Sequence, residues 1–169
     1  MKNNHFHIEF ALNGNSFLSI DELLLYSETL STATHQFLQE WFSVNETIEV
    51  KTSGSTGKPK IIQLKKEFMI NSALLTGEFF KLPEKTTALL CMSTDFIAGK
   101  MMLVRAIVLG WRLDVIAPTS NPLKDVEKQY DFSAMVPIQL QNSLSEIQKV
   151  KKLIVGGGVV SNELKKKIQ

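Results

Sequence analysis

The chain has 169 residues, 44% of them hydrophobic and 21% charged, an ordinary globular composition long enough for one domain with a sizeable core. Nineteen basic against seventeen acidic side chains leave a net charge of +2, too little to argue for nucleic acid or an anionic membrane as partner, so any preference for anions must be local. The start, Met1-Lys2-Asn3-Asn4-His5, lacks an apolar core of signal-peptide length, and the longest apolar run, around Met101 to Trp111, is broken by Arg105; a cytoplasmic protein is expected.

Residues 6–11 and 16–20 read as two short strands around the turn Asn13-Gly14-Asn15, so the chain is expected to open with an N-terminal hairpin. His5 and His7 alternate on one face of the first strand, but two ligands near a terminus make too weak a metal site, and His35, on a helix, adds nothing. No protein-held metal is expected. Asp21 is a candidate N-cap for a helix over 22–30, and Ser31 or Thr32 for a second helix carrying Phe37, Leu38, Trp41 and Phe42, whose spacing gives an apolar core-facing stripe.

The next stretch, Thr52-Ser53-Gly54-Ser55-Thr56-Gly57-Lys58-Pro59-Lys60, concentrates anion-binding capacity. Its glycines let backbone amides crowd an anion, and its hydroxyls and two ammonium groups add donors. A Walker-type loop needs four residues between its glycines and a hydroxyl after the lysine. Here only two residues separate Gly54 from Gly57, and Pro59 follows Lys58. The flanks, Thr47 to Lys51 and Ile61 to Leu64, have strand character, so the segment is a loop between two strands. A bare Ser/Gly/Thr hairpin loop that binds nothing is the plainer alternative, against which the two lysines count.

Beyond it the pattern predicts a helix over 65–80, then strands near 87–92, 112–117, 132–135 and 152–155 alternating with helices near 99–109, 122–129, 137–146 and from 161. Such alternation predicts an α/β fold, a mostly parallel sheet flanked by helices, with ligands at the carboxyl ends of its strands. The single cysteine, Cys91, sits in an apolar strand and reads as a buried small hydrophobe rather than a nucleophile. Two strand ends are unusual: Ser93 to Lys100 is a polar turn leading into a helix with Met101, Met102 and Arg105, and Val155-Gly156-Gly157-Gly158 runs into Ser161, a probable N-cap. The run Lys165-Lys166-Lys167 reads as a solvated helix face.

Thr52 to Lys60 resembles, at every position, the phosphate loop [ST]-S-G-[ST]-[ST]-G-x-P-K of the adenylate-forming enzymes, the family of acyl-CoA synthetases, luciferases and peptide-synthetase adenylation domains. The family usually has glycine next, where this chain has Ile61. Gly99 aligns with the glycine of the family's P-x-x-H-x-x-G segment, which puts Phe96 where the acyl-pocket histidine would be; position carries over to Phe96, imidazole chemistry does not. Gly156 to Gly158 resemble the family's turn beside the adenine and acyl pockets, and Pro137-Ile138-Gln139 its V-P-x-Q segment. Within the family, sequence texture across most of the chain is most similar to the branch that ligates o-succinylbenzoate to CoA in menaquinone biosynthesis.

The resemblance implies the large amino-terminal domain of such an enzyme, with ATP, Mg²⁺ and CoA as cofactor and co-substrates and a small-molecule carboxylic acid as partner. It implies a catalytic role for Lys60 and ATP binding by Thr52, Ser53, Gly54, Ser55, Thr56, Gly57, Lys58 and Gly156 to Gly158. Substrate contacts would come from Phe96, Gly99, Lys100 and Arg105, the two cations being candidates for a second carboxylate. An equally ordinary role for that pair is a helix-start lysine in water and an arginine packed along its stem. The family's aromatic-x-Thr-Glu motif, ribose-binding aspartate and domain with the catalytic lysine have no counterpart before Gln169. The chain is therefore expected to be the front of a longer enzyme, inactive by itself, the alternative being a non-catalytic nucleotide- or anion-binding module of the same fold.

Overall fold

A computed structural model describes residues 6–51 and 61–168. In chain order the elements are β1 (Ala11–Leu12), α1 (Ile20–Ser27), α2 (Thr32–Phe42), β2 (Thr47–Lys51), β3 (Ile61–Lys65), α3 (Lys66–Phe80), β4 (Thr87–Leu90), α4 (Ile97–Leu109), β5 (Arg112–Val115), β6 (Tyr130–Met135), α5 (Pro137–Asn142), a 3₁₀ turn (Leu144–Lys149), β7 (Val150–Val155) and α6 (Asn162–Lys167). Five strands form one sheet in the order β1-β5-β4-β6-β7, every neighbouring pair parallel. β2 and β3 stand apart as an antiparallel hairpin, paired from Thr47↔Lys65 to Lys51↔Ile61.

The sheet is covered on both faces, as a parallel sheet must be when its crossovers pack against it. Side chains of β4 alternate accordingly. Ala88 and Leu90 join the larger core with Leu113, Phe132, Ala134 and the helices α1 to α4, while Leu89 and Cys91 join a smaller one with Leu123, Tyr130, Met135 and Val150. α4 is apolar on nearly every side because it lies between the sheet and α3; eight of its 13 residues are buried. At the base of the larger core Phe132 meets Trp111 and Phe80 edge-on, with ring centroids 5.2 and 5.5 Å apart. Each such pair adds about 0.5–1.5 kcal/mol to what burial of the rings contributes.

Four local expectations are revised. At the amino end the turn forms: Asn13 and Gly14 take φ of 49° and 79°, and Leu12 and Asn15 exchange backbone hydrogen bonds of 2.9 and 3.0 Å. Its arms do not extend into strands over 6–11 and 16–20, because the backbone of β1 bonds in parallel to Trp111 and Leu113 at the sheet edge and residues 16–19 lead straight into a helix. That helix starts two residues earlier than Asp21 suggests: Ser19 Oγ accepts from Glu22 N at 3.1 Å, and Glu22 Oε2 accepts from Leu18 N at 2.7 Å. Asp21 and Glu22 instead sit in the first turn, where the helix dipole favours them. The helix expected over 122–129 is absent. Within that segment Lys149 Nζ donates to Leu123 O, and just before it Gln139 Nε2 donates to Thr119 O and Ser143 Oγ to Asn121 Oδ1, so that the chain makes only a turn at 122–125. The helix expected to reach residue 146 stops at Asn142 and continues as the 3₁₀ turn.

At the amino ends of the strands Asp131 accepts hydrogen bonds from Thr87 N (3.0 Å) and Thr87 Oγ1 (2.8 Å) and pairs with Lys151 at 2.8 Å. Lys151, then the Thr87 bonds, hold its carboxyl down to about 2 from an ordinary 3.8. A depressed folded-state value stabilises the protein above pH 3.8, and the contribution is lost as pH falls to about 2. Asp131→Asn is therefore expected to cost about 1 kcal/mol at pH 7, reduced by solvent screening. Denaturation at pH 7 and again near pH 2 should show the difference from wild type vanish at the lower pH.

Candidate functional site

From β4 the chain crosses through α4 to β5 on one side; from β6 it crosses through α5 to β7 on the other. The adjacent carboxyl ends of β4 and β6 therefore form the switch point at which open parallel sheets bind ligands. Four connections meet there: residues 91–96 after β4, 116–119 after β5, 136–137 after β6 and the glycines after β7.

The turn after β4 is held by its own side chains and by α2. Ser93 Oγ donates to Asp95 Oδ2 at 2.7 Å and accepts from Asp95 N at 3.1 Å, while the buried hydroxyls of Thr94 and Thr34 are 3.1 Å apart. Gly99, in the first turn of α4, lies so close to this turn that a Cβ there would be 2.2 Å from Ser93 O and 2.7 Å from Ser93 C. Phe96 is the N-cap of α4 and half exposed. Its backbone forms a parallel bridge with Lys51.

That bridge places the hairpin. Lys51 precedes the segment Thr52–Lys60 and is paired across the hairpin with Ile61, which follows it. The expected strand-loop-strand setting is present in its flanks. Thr52, Ser53, Gly54, Ser55, Thr56, Gly57, Lys58 and Lys60 themselves lie outside the described residues. Buried Ile48 and Val50 seat β2 on the larger core, and Glu40 Oε1 of α2 accepts from Glu49 N at 2.8 Å.

Lys100 is 8% exposed, with its Nζ 4.9 Å from the centre of the Phe37 ring. Burial lowers its pKa, opposed by the charges of Glu40, Asp95 and Glu49, and Lys51 lowers it further. The ammonium thus stands where α2, the hairpin and the β4–α4 turn converge. Arg105 is turned elsewhere on the same helix: its Nε donates to Thr76 Oγ1 of α3 at 3.2 Å and its Cζ lies 6.0 Å from the Phe132 ring. Burial lowers its pKa too. The two cations are not brought together.

The glycine turn rests on the segment after β6. Gly156 N donates to Met135 O at 3.1 Å. Gly157 has φ of 74°, which favours glycine, and Cβ atoms at Gly157 and Gly158 would come within 3.3 Å of Val136 Cγ1 and Pro137 Cγ. Gln139, given no role by the sequence beyond its place in a family segment, proves to be 5% exposed and fully bonded. Its Nε2 donates to Cys91 O at 2.8 Å and Thr119 O at 2.9 Å, and its Oε1 accepts from Val136 N at 3.2 Å. A lone amide inside a strand-to-helix segment was the available clue.

Cys91 is buried, and burial raises its pKa to about 11. The thiol stays protonated, which suits packing and not nucleophilic attack. Among the described residues no group of three or more His, Cys, Asp and Glu side chains could hold a metal ion, and no helix is long and apolar enough to cross a membrane. A groove of about 510 Å³ runs along one face of α3 between Phe68 and Phe80, with none of the strand-end turns in its walls.

This arrangement is the fold of the amino-terminal domain of adenylate-forming enzymes. Among solved structures the chain is similar to an acyl-CoA synthetase (AMP-forming)/AMP-acid ligase II-like protein from Dyadobacter fermentans, 35% identical with a TM-score of 0.74 over 83% of this chain and 44% of that one. The o-succinylbenzoate coenzyme A synthetase MenE from Bacillus subtilis, solved in complex with AMP, shares 19% identity and a TM-score of 0.63 over 90% of this chain and 49% of that one. ATP-bound MatB from Rhodopseudomonas palustris shares 12% and 0.59 over 70% and 25%. The last two show the fold alone. The chain thus spans about half the length, or less, of the structures it matches. No protein-family model and no curated protein sequence matches it.

Proposed function

We propose that this chain supplies the ATP phosphate loop and part of the acyl pocket of an AMP-forming acid–CoA ligase. The reaction has two steps. A substrate carboxylate attacks the α-phosphorus of ATP, giving an acyl-adenylate and pyrophosphate; the CoA thiol then attacks the acyl carbon and AMP departs. The observation that supports this is the Lys51–Phe96 bridge, which brings the residue preceding Thr52–Lys60 to the strand-end turns among which the Gly156–Gly158 turn also lies.

In this role Ser53, Ser55, Thr56 and the loop amides, with Lys58 and Lys60, hold the β- and γ-phosphates and stabilise charge on departing pyrophosphate, most of the catalysis being positioning and electrostatics. Gly156 to Gly158 admit the adenine side of the nucleotide, and Phe96, Gly99 and Lys100 wall the acyl side. Magnesium accompanies ATP; the described residues offer no carboxylate cluster for it, and none is assigned to it. The cytoplasm, which holds ATP and CoA, is the matching compartment.

For the acid we propose o-succinylbenzoate, as the sequence texture suggests. Its second carboxylate calls for a cation. Lys100 is supported by its place beside the root of the loop, whereas Arg105 is engaged with Thr76 and Phe132. Lys100→Met is expected to weaken o-succinylbenzoate about tenfold, the worth of one charge-assisted hydrogen bond, and to leave a monocarboxylic acid unchanged. Arg105→Met should act mainly on stability. Michaelis constants for both acids, measured in the complete enzyme, check this, and an unaltered constant for o-succinylbenzoate in Lys100→Met removes the assignment.

ATP and AMP titrated against the chain, and pyrophosphate release in the presence of o-succinylbenzoate and CoA assayed in the complete enzyme, test the function itself. Nucleotide binding weakened by substitutions in the loop supports it. A folded chain that binds neither nucleotide overturns it.

A further inference from the structure

We infer that Gln139 is a positioning residue that ties the walls of the strand-end site to one another. The inference rests on reading the strand ends as the ligand site. One buried amide joins three chain segments that are remote in sequence: the carbonyl of Cys91, which opens the connection to Ser93–Phe96; the carbonyl of Thr119, after β5; and the N–H of Val136, against which the glycine turn packs.

Two features make this more than ordinary core bonding. The amide bridges β4 and β6, the pair between which the crossovers diverge, so no loop of the chain directly joins the two walls there. Both connections it holds then reach candidate ligand-contacting groups. From Cys91 the chain runs to Phe96, whose backbone anchors Lys51 at the root of Thr52–Lys60. From Val136 and Pro137 the contact passes to Gly157 and Gly158. Gln139 thus sets the distance between the loop's anchor and the opposite glycine turn, and touches neither ATP nor acid itself.

Hydrogen exchange on the chain tests this, comparing wild type with Gln139→Leu and with Asp131→Asn, which loosens the same sheet at its opposite end. Gln139→Leu is expected to speed exchange about tenfold or more at Asp95 and Phe96 and at Gly156 together, the hydrogen-bonded amides of the two turns, while Asp131→Asn leaves both turns protected. ATP affinity should fall about tenfold in the first and stay unchanged in the second. Loss of protection spread evenly through the sheet, or confined to 136–142, would overturn the inference. If Gln139→Leu does not fold, Gln139→Glu takes its place: its carboxylate cannot donate to the two carbonyls, but its protonated form can donate to one. Protection at both turns, relative to wild type at each pH, should then return on acidification, and failure to return counts against the role. Should wild type bind no nucleotide, the proposed activity fails, and the exchange comparison still decides whether Gln139 couples the two turns.

Discussion

Gly99→Ala is expected to destabilise the protein by about 3 kcal/mol, the upper part of the range for overpacking a tight interior. A methyl group there would meet Ser93 O, Ser93 C and Thr94 N at 2.2, 2.7 and 3.0 Å, all of them backbone atoms that no rotamer change can move. Either α4 lifts off the β4–α4 turn or the turn shifts. α4 is wedged between the sheet and α3, so the turn is the softer partner. Its displacement would carry Phe96 away from Lys51, and nucleotide affinity should fall together with stability. Gly77→Ala is the contrast: its Cβ would press on the Leu109 side-chain tips at 3.1 and 3.2 Å, with Leu82 O at an ordinary 3.7 Å, and the helix-propensity gain of about 1 kcal/mol for replacing glycine offsets that contact. Unfolding curves for the two variants should therefore separate widely. Equal midpoints would mean the close approach at Gly99 is misplaced.

In the complete enzyme Lys60→Ala is expected to slow the adenylation half-reaction by about 10²–10³-fold, the typical loss when one donor to developing negative charge is removed. ATP affinity should weaken by about tenfold to a hundredfold, as for a lost charge-assisted hydrogen bond to phosphate. Stability should stay within about 0.5 kcal/mol, since the change removes a charge and not an apolar side chain. Pyrophosphate exchange, nucleotide titration and thermal unfolding of the same sample separate the three effects. A normal exchange rate would mean that Thr52–Lys60 is not the phosphate loop.

How far the fold was legible follows from how local each determinant is. The parallel sheet could be read because strands buried on two faces, such as Thr87–Leu90, are short apolar runs regularly separated by helical patterns. Ser31 and Ser161 could be read as caps for the same reason: a cap bonds a backbone amide three residues on, at Thr34 and Leu164. Ser19 was missed because Asp21, also a good cap, competes two residues later. The segment 122–129 has the composition of a short helix, yet Lys149 bonds Leu123 O within it while Gln139 and Ser143 fix Thr119 and Asn121 just before it, partners that no window of the sequence contains.

The site divides along the same line. Thr52–Lys60 is recognisable from sequence alone because nine contiguous residues carry its donors and its permissive glycines, and contiguity preserves chemistry whatever the surroundings. The sequence by itself determined the α/β class of the sheet and that Thr52–Lys60 gathers anion-binding residue types in one run. Only the tertiary structure decided that the hairpin is rooted on Phe96, that Lys100 and Arg105 part company on one helix, that Gly99 has no room for a methyl, and that Gln139 spans three strand ends. Each of these depends on distances between segments remote along the chain, such as the 48 positions separating Gln139 from Cys91. Such distances are set by how helices pack on a sheet, and composition and periodicity do not encode them.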